Sequence, residues 1–293
     1  MKKINRARKI DKCITVLFTT VAAMIILLLM AFVGYVVFKG IRSFDLEFLT
    51  FTRKGIMNQV LNTIYMVFLS LVFSAPIGIL TGIYIVEFAK EGRMKKFIKL
   101  SIETLSSLPS IIVGLFGYLV FILMTGAKWN MLAGALTLSI LSVPLIATTT
   151  IDALNGVKQE VRLGAYALGA TSKITILQVL LPACISRIFT GVLLAAGRSF
   201  GEAAALLYTA GMSTDIVWSN LDITSRTNFL NPFRPAETLS LHIWAQFTES
   251  TAVNAKDIAN FSSAVLIIIV LLFNIFVRKY SKSLDRKLGG KVE

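Results

Sequence analysis

Charge, histidine and cysteine are scarce in this chain. Only 16% of its 293 residues are charged and 55% are hydrophobic, for a mean hydropathy of +0.74. An average soluble domain carries about a quarter charged residues. That balance argues against a disordered chain, a collagen, a disulfide scaffold or a soluble two-domain enzyme. One His and two Cys are too few for a zinc cluster or a haem site built on several of them. No Gly-x-x-x-x-Gly-Lys-Ser/Thr phosphate loop occurs: Gly169-Ala-Thr-Ser-Lys173 lacks the spacing. There is no Gly-x-Ser-x-Gly elbow and no His-Glu-x-x-His. The lone His242, near Trp244, reads as a surface or interfacial histidine. Catalysis by this chain is not expected, which leaves transport, channel or assembly roles.

What is present is long runs of apolar residues. A bilayer core of about 30 Å takes roughly 20 apolar residues in helix. Stretches 14–38, 60–86, 104–126, 131–151 and 258–277 are uncharged, and 188–211 is apolar apart from Arg198 and Glu202. The expectation is an all-α polytopic membrane protein with six transmembrane helices. Its parts are a basic N-terminus (1–13), a first span (14–38), a permease domain (56–279) and a tail (280–293). The first run follows a basic segment, but it is too long for a signal-peptide core and no small-x-small cleavage site ends it.

The basic residues orient the chain. Twenty-one of the 30 Lys and Arg fall in the N-terminus, the second and fourth loops and the tail; eight fall in the alternate loops and one, Arg198, within a span. By the positive-inside rule both termini and loop 152–187 are cytoplasmic, and loop 212–257 faces outward. The same distribution accounts for the net charge of +14 without nucleic acid as a partner. Membrane lipid is the expected surrounding, in the cytoplasmic membrane. Cys13 and Cys184 lie at cytoplasmic span ends, where a reducing cytosol leaves thiols.

Loop 152–187 has a docking shape. Val157, Val161, Ala165 and Leu168 recur at helical spacing, Gly169 suits a left-handed stop, and Thr171 or Ser172 suits a second N-cap. Pro182 is then expected to close or re-aim that second helix. A plain connector packed on its own spans fits the same periodicity. The stretch resembles the "EAA" loop of permease subunits of ATP-binding-cassette importers. Gly169, Val179, Leu181 and Pro182 fall at that pattern's spacing, and Leu163-Gly164-Ala165 stands where it has Glu-Ala-Ala, with Glu160 and Arg162 nearby. The resemblance implies that Leu163, Gly164, Ala165, Gly169 and Pro182 belong to coupling helices seated in a separate ATPase subunit. That subunit would bind the ATP and Mg²⁺, leaving this chain without a cofactor.

The charged span carries the second signal. Arg or Glu at mid-span costs roughly 2.5–3.5 kcal/mol on insertion scales and tends to mark function. Arg198 and Glu202 are four apart and in helix would share a face, as would Gly197 and Gly201, whose missing side chains admit a close neighbour. Two readings stand: an anion path, with the guanidinium forking onto phosphate-like oxygens, or a buried pair that fixes packing. Arg198-Ser-Phe-Gly-Glu-Ala-Ala-Ala-Leu-Leu-Tyr-Thr-Ala-Gly211 resembles the fifth span of oxyanion importers, and its continuation resembles the PstA-type permease of phosphate ABC importers. Ala203 and Ala205 depart from that family's usual Gly-Glu-Thr-Ala-Pro.

The resemblance implies a type I importer permease that translocates inorganic phosphate. It would work with a second, PstC-like permease chain, PstB-like ATPase subunits and an extracytoplasmic PstS-like phosphate-binding protein docking on the outward loops. A permease for sulfate or molybdate is one alternative, and an ion-coupled secondary carrier is another. A carrier would be expected to show symmetry between its halves, and no clear symmetry is found.

Overall fold

The computed structural model describes residues 2–288 apart from 53–54, 214–215 and 221, with side chains described from 10 to 283 outside those gaps. The described residues are helical or irregular, with no strand. The helices are α1 (Lys2–Arg42), α2 (Met57–Ile83), α3 (Arg93–Ser107), α4 (Ser110–Tyr118), α5 (Met131–Asn155), α6 (Gln159–Ala167), α7 (Ser172–Ile174), α8 (Leu181–Phe200), α9 (Leu239–Thr248) and α10 (Ala255–Leu288). Short π turns, Tyr84–Phe88, Leu119–Leu123 and Thr175–Leu180, extend α2 and α4 and join α7 to α8. Five helices are long and apolar enough to cross a membrane: Ile10–Arg42, Met57–Phe88, Met131–Asn155, Ser172–Phe200 and Ala255–Ser283. Counting one bent pair makes six.

That pair is where the expected span 104–126 falls. Arg93–Ser107 and Ser110–Leu123 meet at 103°. Pro109 disfavours helical backbone at the residue before it, and Leu108 is extended (φ −68°, ψ 134°). The start of the apolar run therefore belongs to α3, a basic amphipathic helix that lays Ile98 and Ile102 against Ile85, Ala147 and Ile151.

The fifth span is displaced from its expected limits. It begins at Ser172, where the Thr171 side chain caps the Ile174 N–H, and ends at Phe200. So the second half of loop 152–187 is the entry of the span, and 201–211 is a chain of turns. Pro182 neither closes nor breaks the helix. It sits in the first turn of α8, just after the π turn in which the Leu181 N–H donates to the Ile176 carbonyl five residues back. A π turn is one of the ways a helix absorbs such an interruption.

The centre of the bundle is the α2–α5 crossing. Lipid tails are as apolar as leucine, so close packing rather than hydrophobic transfer holds helices together there. Gly78 and Gly82, one turn apart, supply the close approach: a Cβ on them would stand 2.7 Å from Ile146 Cβ and 2.6 Å from Thr150 Cβ. Asn130 starts α5 by accepting from the Ala133 N–H at 2.8 Å. Two cores result. Near the start of α5, Met66, Met131, Leu138 and Leu206 pack together; near its end, Leu154, Ile176, Leu180 and Ile188 do, with Cys184 buried among them as a free thiol. By contrast α1 buries nothing along its apolar window and rests on α10.

Candidate functional site

Three places bear on function: the end of α8, the cap over the start of α2, and the elbow formed by α6 and α7.

At the end of α8 the helix tightens and stops. The Gly201 N–H donates to Arg198 O and the Glu202 N–H to Ser199 O, both three residues back. Glu202 therefore leaves the helix instead of continuing the Arg198 face. No Arg198–Glu202 ion pair lies within 4.0 Å among the described residues. The Glu202 carbonyl instead accepts from Ser240 Oγ at 3.0 Å, which ties it to α9. Ser199 and Phe200 face inward, with Ser199 Oγ 3.4 Å from Ser142 Oγ and the Phe200 ring edge-on to Phe273 at 5.1 Å. Leu194, Arg198 and Gly201 are exposed. A Cβ on Gly197 would meet nothing nearer than Asn274 Oδ1 and Phe273 Cε1 at 3.9 Å, and one on Gly201 only Arg198 O at 3.9 Å. The tight crossing expected of Gly197 and Gly201 is thus not made inside this chain; Gly78 and Gly82 make it. Their spacing on an uncharged span was the available signal. The Arg198 face is open.

The cap over the start of α2, built from 229–242, is a buried polar network that the sequence reading missed. Arg234, 2% exposed, donates from Nη2 to Asn62 Oδ1 at 2.6 Å and also to the Phe229 and Pro235 carbonyls. Burial pushes the Arg234 pKa down to about 10, which still leaves it charged at neutral pH. Asn62 Nδ2 donates to the Glu237 carbonyl at 3.0 Å, and Gln59 Nε2 to Glu237 Oε2 at 3.2 Å. His242 is not at the surface. It is buried, with Nδ1 3.1 Å from Glu237 Oε2, because Thr238 caps α9 and folds it back over the start of α2. Polar groups inside the nominally apolar α2 (Gln59, Asn62, Thr63) were the signal for this network.

At the elbow, α6 follows the expected spacing. Gly169 ends it at φ +81°, the Ala170 N–H returns to the Ala165 carbonyl, and Thr171 caps the next turn. Ala165 is buried, while Leu163, Gly164, Tyr166 and Leu168 are exposed. Pro182 is exposed within α8. The elbow thus presents an apolar outer face that this chain leaves uncovered. Arg162 turns inward and donates from Nη2 to Glu87 Oε1 at 2.7 Å.

The chain was compared with known proteins. Residues 74–290 match the family model described as "Binding-protein-dependent transport system inner membrane component". A probable ABC transporter permease of Bacillus subtilis, YqgI, is 38% identical over 289 residues, covering 96% of this chain and 98% of the relative. A Mycobacterium tuberculosis protein named phosphate transport system permease protein PstA 2 is 32% identical over 233 residues, 80% of this chain and 73% of that protein. One chain of a bacterial alginate ABC transporter, crystallised with an alginate-bound periplasmic protein, superposes with a TM-score of 0.61 at 18% identity, over 92% of this chain and 94% of that one. The inward-facing MetNI methionine transporter gives 0.57 at 15% identity, over 82% and 99%.

Proposed function

Because the chain belongs to the family of binding-protein-dependent transport system inner membrane components, we propose that it is the permease subunit through which an ATP-driven importer passes inorganic phosphate. Members of that family are multi-pass inner-membrane permeases of importers whose ATPase and substrate-binding protein are separate subunits. The observation that carries the phosphate reading is the set of relatives named PstA, about 30–32% identical over some four fifths of the chain.

The open face of α8 supports it chemically. A second, PstC-like permease chain covers that face, so the anion path runs between the two chains. The Arg198 guanidinium, exposed on this chain, forks onto two phosphate oxygens, and Glu202, just past the end of α8, is the acceptor of the anion's proton. A PstS-like binding protein delivers phosphate to the outward loops. PstB-like ATPase subunits receive the outer face of the elbow at Leu163, Gly164, Ala165, Gly169 and Pro182, and their closure on ATP moves it. Both termini lie in the cytoplasm.

A second oxyanion reading is favoured by one fact: the relative at 38% identity carries no substrate in its name. Uptake of radiolabelled phosphate into cells with the chain deleted and then restored separates the two. Restoration unaffected by equimolar sulfate is expected. Competition by sulfate would replace phosphate with the broader oxyanion class.

A further inference from the structure

Among the described residues, one ion pair ties α6 to the bundle. Arg162 on α6 and Glu87 in the π turn at the end of α2 are 75 residues apart and 2.7 Å from each other. The Glu87 side chain is only 6% exposed and that of Arg162 28%. A buried carboxylate costs several kcal/mol unless it is paired, so this one depends on Arg162. Among the described residues no other ion pair or side-chain hydrogen bond joins α6 to a membrane helix. The remaining attachment is apolar: Val157, just before α6, and Val86, beside Glu87, pack on the core of Leu154, Ile176 and Leu180.

The position of Glu87 gives the bond its reach. One to two turns before it on α2 stand Gly82 and Gly78, locked against Thr150 and Ile146 of α5. Helix α5 in turn packs along α8, with Thr149 tight against Gly191 and Ser142 beside Ser199. A displacement of α6 that pulls on Glu87 is thereby passed through two close-packed crossings to the helix that carries Arg198. Apolar contacts slide, whereas a short charge-assisted hydrogen bond resists both separation and rotation. We propose that the Arg162–Glu87 ion pair is the tie that carries movement of the elbow into the second span, which makes both of them positioning residues for coupling.

The proposal rests on the reading of the chain as a subunit of an ATP-driven importer. Its main test is independent of which anion is carried. In the assembled complex, with Cys13 and Cys184 replaced by Ser, spin labels at Lys90→Cys and Lys158→Cys report the distance from the elbow to the end of α2. In the otherwise native chain this distance distribution is expected to be narrow and the same without nucleotide and with ATP trapped by vanadate. In Glu87→Gln it is expected to broaden, and to shift when ATP is trapped. Inorganic phosphate moved per ATP hydrolysed should fall about tenfold, the size of one charge-assisted hydrogen bond, while basal ATP hydrolysis persists. The charge exchange, Glu87→Arg with Arg162→Glu, should restore the narrow distribution. Unchanged distances in Glu87→Gln overturn the proposal. So does a charge exchange that restores assembly and leaves the distribution broad, since the pair then only supports folding. A complex that passes the distance test yet carries no phosphate keeps the tie and removes phosphate as the cargo.

Discussion

Arg198 is the residue on which the proposed anion path depends, and its surroundings separate charge from scaffold. Because it forms no ion pair with Glu202 and stands exposed, removing it leaves no buried carboxylate behind. Arg198→Ala is therefore expected to insert, assemble and melt within about 0.5 kcal/mol of the parent, while phosphate uptake is lost. Arg198→Lys, which keeps the charge without the planar fork, should retain weak uptake. Full uptake in Arg198→Ala would remove the guanidinium from the path. The same logic inverts for glycine. Gly82→Val drives methyl groups into Thr150 and should cost about 1–3 kcal/mol, seen as a lower melting temperature of the detergent-solubilised chain. Gly201→Leu meets open space within this chain. It should leave that melting temperature unchanged and reduce co-purification of the second permease chain; unimpaired co-purification would mean that no partner covers this face. The sequence shows an arginine and a glycine pair. Which glycines touch a neighbour is a property of helix rotation and of where α8 ends, and composition carries neither.

Among the elements, hydropathy separates apolar from polar and is blind to what does the burying. Stretch 201–211 reads as membrane because it is apolar, yet Ala205, Leu206 and Ala210 are covered by the protein itself. Irregular backbone of this kind is tolerated beside a membrane bundle when protein covers it. The Pro109 bend was missed for a related reason: one proline redirects a run that a window average treats as continuous. Where local chemistry decides, as at the elbow, the reading was close. Periodicity, a left-handed glycine and a threonine cap are all written within fifteen residues. The cap over the start of α2 was the least legible part, because Asn62, Arg234 and Glu237 meet only after some 170 residues of chain have folded. At Gly169 a Cβ would meet nothing within 4 Å, so only the backbone objects to substitution. Gly169→Asn, which tolerates φ +81°, should keep most substrate-stimulated ATP hydrolysis, and Gly169→Val should lose it. Equal activity of the two would make this turn an ordinary connector.

For the whole molecule, the expected orientation rests on Lys and Arg placement alone. Cysteines at 94 and 160 are expected to resist an impermeant thiol reagent in intact cells, and one at 225 to react; labelling at 160 from outside would reverse the topology. The position of α1 has a consequence for biosynthesis. Helix α1 finds its partners 214 residues further along the chain. Gly40 seats on Ala264, Ser43 Oγ donates to Asp257 Oδ1 at 2.8 Å, and Phe44 stacks at a tilt on Phe261 at 5.5 Å. Until α10 has been translated, α1 must wait in the lipid as a lone anchor, held only by its tether. Helix α1 is thus committed to the bilayer 214 residues before its contact on α10 exists, an interval in which a quality-control protease that extracts unpartnered anchors can reach it.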